Sequence, residues 1–210
     1  MEVSNHIIKT HIYGKNQKDV YVVIFNLGEN QESVVIEDVT LAALGSALGS
    51  KFIPQTEIKQ VLEDLQAIGG VTFTEEEVLR FVKGEVIKAI TAYDSAEGEG
   101  CVNNFYFTYG GQRYPYWFNA YERTTLTSEA TQWAEIHGSY RIDARKYGVS
   151  FELPTDSLLA FLGQLKDYAI RCYNKTSDHL LAVNALGTVD EVVAYDYRSG
   201  YPDNIEFAIA

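Results

Sequence analysis

The sequence predicts an α+β protein: an N-terminal β-hairpin with helices, then a C-terminal small antiparallel sheet packed by three helices. Three observations lead there. Two β-rich runs, 7–13 and 20–27, flank a polar turn at 14–19, which is a hairpin signal. Apolar residues then recur at helical spacing through 55–68 and 74–93. Beyond a small, polar stretch at 95–100, aromatic residues crowd into 105–121 around Gly110-Gly111, and helical patterns return from Pro154 onward.

Taken in order, the run 20–25, VYVVIF, is nearly continuous in apolar residues and is expected to be covered on both faces. A further short run, 34–36, adds a third strand. The Gly/Ala-rich segment 41–48 reads as a weak helix or packed loop. In 55–68, Ile58, Val61, Leu62, Leu65 and Ile68 form one apolar stripe. Residues 71–73 read as a strand fragment. Thr74 and Glu77 then match a capping box, in which the hydroxyl accepts from the third helical N–H and the carboxylate reaches back. The helix they open extends to about Tyr93. The segment 96–100 is the expected linker between an N-terminal part, 1–95, and a C-terminal part, 101–210.

In the C-terminal part, strands over 102–109 and 113–118 are joined at Gly110-Gly111. A short helix over 125–137 carries Trp133 inside. A strand pair follows, 140–145 and 149–153, turning at 146–148. A long helix opens at Pro154-Thr155, with Leu158, Leu159, Leu162, Leu165, Ala169 and Cys172 inward. It is expected to break at Asn174-Lys175-Thr176, where Thr176 caps a second helix that stops at Gly187. Thr188 and Glu191 repeat the capping box, and 205–209 is a closing strand.

The 210 residues suffice for a sizeable core. A net charge of −12 repels phosphates and speaks against nucleic acid, while suiting assembly with a basic partner. No apolar run reaches the about 18 residues of a membrane span, and the N-terminus does not resemble a secretion signal. Two distant cysteines, Cys101 and Cys172, speak for a reduced site of synthesis.

The pieces VNNFYF at 102–107, YWFNAYERTTL at 116–126, YAIRCYNKT at 168–176 and TVDEVVAYDYRSGYP at 188–202, with the spacing between them, carry a resemblance. Residues 101–207 resemble a domain of unknown function that recurs in tailed bacteriophages and prophages, often in structural or fibre-associated proteins. The hairpin at 108–115 departs from that pattern. The resemblance implies a structural component of a virion, on the exterior of head or tail, made in the cytoplasm of a bacterial host. By analogy, 1–95 is then an anchoring or oligomerisation module. Other virion proteins are the implied partners, and a homo-oligomer, most simply a dimer, is expected. The resemblance carries no catalytic residue.

The residues themselves are weighed as follows. Cys172 and His179 lie close in sequence, but Cys172 falls on an apolar helix face, where free cysteine is usually core. His179 is read as a solvent-facing or capping residue in a first helical turn. His6 and His11, five apart, point to opposite faces of a strand, and no zinc spacing occurs. Asp190, Glu191 and Asp196 could be glycosidase carboxylates, which stand about 5–10 Å apart. The first two, however, suit the positive end of a helix. No catalytic, cofactor or metal residue is therefore assigned, and the chain is expected not to be an enzyme. The candidate partner contacts are Tyr109, Tyr114, Tyr116 and Trp117 on the aromatic hairpin, since such rings give large contact area at low entropy cost. Strand alternation places half of these rings inside. The alternatives are a fibre module binding host-surface glycans through exposed rings, or a polysaccharide depolymerase using the acidic residues.

Overall fold

The structure, a computed structural model, describes residues 2–12, 18–27, 30–95, 104–117 and 119–209. It is α+β, as the periodicities predict. The chain divides into two compact units. One comprises Met1–Ala89 and Leu180–Tyr197, the other Ile90–His179 and Arg198–Ala210. The expected linker, 96–100, lies outside the described residues. The compact units are drawn elsewhere, because two long helices each contribute to both.

In the first unit, β1 (Glu2–Val3), β2 (Ile7–Ile12), β3 (Lys18–Phe25) and β4 (Glu32–Ile36) form an antiparallel sheet in that order. The apolar run of β3 explains its central place: Val20, Tyr21, Val23, Ile24 and Phe25 are all buried. Helix α1 (Leu41–Leu48) forms despite its small residues, because the Thr40 hydroxyl accepts from the Ala43 N–H at 3.0 Å. Helix α2 (Gln55–Gly69) lies against β2 and β3 and buries Ile58, Val61, Leu62 and Leu65, the expected stripe. Residues 71–73 are not a strand. The Val71 N–H donates to the Gln66 carbonyl and the Phe73 N–H to Gln66 Oε1, so these donors serve the end of α2 rather than a neighbouring strand.

Helix α3 (Glu75–Ser95) begins with the expected capping box: Glu77 N–H to Thr74 Oγ1 at 3.2 Å, and Thr74 N–H to Glu77 Oε2 at 2.9 Å. Within this unit Glu85, only 3% exposed, accepts from the Ile53 N–H at 3.2 Å and pairs with Lys88 at 2.6 Å. A buried carboxylate is tolerated only with such partners. Helix α6 (Val189–Ala194) carries the second capping box, Thr188 with Glu191. It is tied to α2 by Gln55, whose amide donates to the carbonyls of Val192 and Tyr195, both at 3.0 Å.

In the second unit, β5 (Asn104–Tyr109) and β6 (Gln112–Trp117) form the expected hairpin. Gly110 and Gly111, at φ 59° and 78°, supply the paired left-handed residues of a two-residue turn. Strand β9 (Glu206–Ile209) joins the other edge of β5, and it runs parallel to it, so this small sheet is mixed rather than purely antiparallel. Helix α4 (Ala120–Ala134) starts five residues before the expected position, because Asn119 and Glu122 make a capping box. Strands β7 (Ser139–Ala144) and β8 (Val149–Pro154) pair across a single 3₁₀ turn at Arg145–Tyr147.

Helix α5 (Thr155–Ala185) is the main departure from expectation. It runs unbroken through Asn174, Lys175 and Thr176. None of these three is a glycine or proline, and the Thr176 hydroxyl donates to Asp94 at 2.6 Å instead of capping a new helix. The part of α5 in this unit buries Leu158, Phe161, Leu162, Leu165, Tyr168, Ala169 and Cys172. Around it Phe105, Phe107, Phe151, Leu153 and Ile209 complete a single core.

Glu85→Ala is expected to leave the Ile53 N–H buried without its acceptor. Urea denaturation should show a loss of about 1–3 kcal/mol, whereas the same change at the exposed Glu76 should be close to neutral.

Candidate functional site

The aromatic sheet has two faces of different chemistry. Cross-strand register pairs Phe105 with Tyr116 and Phe107 with Tyr114, on the core side. Phe107 stacks on Tyr114 at 4.9 Å, Tyr114 meets Tyr147 at 5.1 Å, and Tyr109 leans on Phe151 at 5.3 Å. Tyr109, Tyr114 and Tyr116, three of the four candidate contacts, are thus half-buried and pack against the core. The side chain of the fourth, Trp117, lies outside the described residues. The opposite face is polar: the Arg113 guanidinium sits 3.5 Å from the centre of the Tyr106 ring and pairs with Glu206 at 2.9 Å. The Thr108 hydroxyl donates to the same carboxylate at 2.5 Å. These two partners, Thr108 first, hold Glu206 below the usual carboxylate range.

The rings of the inner face also wall a cavity of about 320 Å³, closed on one side by α4 and on another by β7 and β8. Phe105, Phe107, Phe151, Phe161, Leu158 and Ile209 line its floor. Its mouth carries Glu122, Glu129, Arg141 and Asp143. A second, shallower groove of about 630 Å³ shares Glu129, Tyr140, Arg141 and Asp143 with it and extends to Trp133, Ile136 and His137.

Helix α4 explains why this space exists. Its spacing puts no continuous apolar stripe on one face, and Ala130 is its one buried residue among those described. Three of its threonines turn their hydroxyls back onto the helix: Thr124 to the Ala120 carbonyl, Thr127 to Arg123 and Thr131 to Thr127, at 2.7–2.8 Å. Trp133, expected inside, is 44% exposed. Its indole N–H donates to the Ser139 carbonyl at 2.7 Å, and its ring lies against His137 at 4.2 Å. Ile136, just past the end of the helix, and Tyr121, in its first turn at the other end, are each 78% exposed. Tyr121 has only Thr124 and Thr125 at i+3 and i+4, and Trp133 has only the small Ala130 and the exposed Ile136 at i±3. This row is too weak for a buried face, and that was the sequence signal for this surface.

The stretch 168–201 gathers polar groups inside the second unit without forming a nucleophilic pair. His179 is only 2% exposed, not solvent-facing, and its Nε2 lies 3.0 Å from the Ser199 carbonyl. A carbonyl only accepts, so Nε2 carries the proton. Cys172 is fully buried, as expected. On one continuous helix it lies two turns from His179, about 10 Å along the axis, too far for proton transfer between them. Tyr201 approaches both Thr176, at 3.0 Å between hydroxyl oxygens, and the His179 ring, at 5.3 Å.

In the first unit, Asp190 pairs with Lys59 at 2.5 Å. Glu191 is held below the usual carboxylate range by the Thr188 hydroxyl and the Gly187 and Thr188 N–H groups. A carboxylate kept ionised this way is a poor general acid. Asp196 is exposed. His6 contacts Asp64 at 3.1 Å and His11 contacts Asp19 at 2.9 Å, each on its own side of the sheet. Among the described residues, no group of three His, Cys, Asp or Glu side chains is placed to hold a metal ion, and no helix is long and apolar enough to cross a membrane.

Comparison with protein-family models, with curated proteins and with solved structures found no match to the chain.

Burial raises the Asp94 carboxyl above its ordinary range, against the opposing pull of the Thr176 hydroxyl and the Arg123 charge. The folded chain therefore holds this proton more tightly than the unfolded one. The resulting stability is present below about pH 4 and is lost as pH rises through the raised value. Asp94→Asn keeps an acceptor for Thr176 and removes the charge. Its thermal midpoint should exceed that of the wild type at pH 7, and the difference should shrink as the pH is lowered.

Proposed function

We propose that the protein is a non-enzymatic structural component of a bacteriophage virion, associated with a head or tail fibre, that works by assembly through buried surface. The observation that carries this reading is the pairing of a tied-up scaffold with an open apolar surface. Of the groups in 168–201 that invited catalysis, Glu191 is engaged in a cap, Asp190 in an ion pair and His179 in a core contact, while Asp196 is exposed. Three of the five large solvent-facing apolar groups described in the second unit, Tyr121, Trp133 and Ile136, line the cleft beside α4 instead, while Ile170 and Tyr173 stand on α5. Exposed apolar surface of this kind marks a place where another molecule binds. The resemblance read from the sequence of 101–207 suggests the phage setting. A homodimer, and an exterior position on the particle, belong to the same reading.

A second reading has its own observation in the exposed rings of Trp133 and Tyr121. Flat aromatic faces open to water suit the apolar face of a sugar ring, so a fibre module that binds host-surface glycans is the alternative.

Purified particles of a phage encoding this chain should contain it at a fixed ratio to the major virion protein, as read by quantitative mass spectrometry. Its absence from clean particles would overturn the structural reading. For the glycan reading, tryptophan fluorescence should shift with host polysaccharide in the wild type and not in Trp133→Ala.

A further inference from the structure

The cavity beneath α4 and the groove that continues it form one trough, since they share Glu129, Tyr140, Arg141 and Asp143. Its floor is carbon: phenylalanine rings from β5, β8 and α5, with Leu158 and Ile209. Its rim holds the two most exposed large apolar side chains among the described residues, Tyr121 and Ile136, together with Trp133. Exposing a surface of this kind to water costs free energy, and covering it lowers the free energy.

The polar groups on the rim decide what covers it. Glu122 accepts from the Asn119 N–H at 2.9 Å, Glu129 from the Tyr140 hydroxyl at 3.2 Å, and Asp143 from Arg141 Nε at 2.9 Å. The Trp133 N–H is held by Ser139. A sugar, which needs many directed hydrogen bonds, would meet a floor whose phenylalanine rings, Leu158 and Ile209 offer none. Charge is a different matter, because a carboxylate that accepts one hydrogen bond keeps its charge and further lone pairs. The rim sets three carboxylates, Glu122, Glu129 and Asp143, against one guanidinium, Arg141. The whole chain carries −12. A second copy would bring like charge to like charge, which disfavours it as occupant. A basic polypeptide segment with an apolar anchor side chain fits both the floor and the rim.

We propose that this trough docks a lysine- or arginine-bearing segment of a partner protein, which seats an apolar side chain on the phenylalanine floor and sets its charges beside Glu122, Glu129 and Asp143. The proposal rests on the assembly reading above and names the surface through which assembly would occur. The rim charges steer the encounter and fix polarity, while the anchor provides most of the affinity.

The test uses the full chain and three fluorescently labelled synthetic peptides: a phenylalanine and leucine pair flanked by lysines, the same pair flanked by glutamates, and lysines flanking serines. Polarisation should report binding of the first, weakened by salt, with the other two at least about tenfold weaker. Two variants locate the site. Thr125→Phe fills the cavity from α4, and Glu129→Lys reverses a rim charge at an exposed position. Each should weaken the first peptide by about tenfold or more, with circular dichroism unchanged. Should Thr125→Phe fail to fold, Glu129→Lys decides alone.

Equal binding of all three peptides, no binding of any, or wild-type binding by the folded variants would overturn the proposal. So would displacement of the first peptide by neutral oligosaccharide, which would assign the trough to glycan. So would self-association of the wild-type chain that Glu129→Lys abolishes on sedimentation, which would assign it to a second copy. Particle composition separates the two levels. If the wild type is present in virions and folded Thr125→Phe enters them equally well, the trough proposal fails and the assembly reading stands. If the wild type is absent from virions, the assembly reading fails whatever the peptides do.

Discussion

The second unit depends on the contact between one side of α5 and the inner face of the aromatic sheet. Phe161 of α5 stands 5.4 Å from Phe105 on β5 and stacks at 4.5 Å on Phe207 of β9. Leu158, Leu162, Leu165 and Ala169 continue the same buried face along the helix. Each large side chain so buried is worth about 1.5–3 kcal/mol, so this one surface dominates what holds the unit together. The same helical phase that sends these residues inward presents Thr176 and His179 to Asp94, Ser199 and Tyr201 further along. The parallel addition of β9 follows from the same contact, since Phe207 needs a place in the core and the free edge of β5 supplies it.

What the sequence revealed follows the range of the forces involved. Capping boxes at Thr74 and Thr188, the α2 stripe and the Gly110-Gly111 turn are local patterns, and each stands where its residues put it. The supposed break at 174–176 fails because weak helix formers do not stop a helix whose flanks are well packed, and because Thr176 finds its partner 82 residues away. The pairing of β9 with β5 is equally invisible to any local window. The candidate contacts were half legible. Alternation rightly separates two faces of the hairpin, but it does not say which face is covered, and Tyr109, Tyr114 and Tyr116 lie on the covered one. Trp133 is misjudged for a related reason: a large apolar side chain in a helix is usually inside, yet α4 has no stripe for it to join.

Buried polar contacts and exposed apolar surface fall on different parts of the chain. The stretches 168–176 and 188–202 are occupied with helix interior, caps and a buried polar cluster. The solvent-facing chemistry lies on α4 and β7, where the sequence is rich in exposed apolar and acidic groups rather than in fold-determining ones. Substitutions on the exposed side of α4 would therefore leave the core contacts of α5 untouched.

The threonines of α4 bear on how fixed that surface is. A hydroxyl bonded to the carbonyl four residues back competes for the acceptor that holds the helix together, and such helices bend more readily. Three of them lie in succession on an element with a single buried side chain among those described. An element with so little apolar anchorage belongs to the low end of the local-opening scale, far below a packed helix such as α5. The wall over the phenylalanine floor is therefore compliant while the floor is rigid. Under the docking proposal, a yielding wall over a fixed floor would let anchors of different size seat on one base.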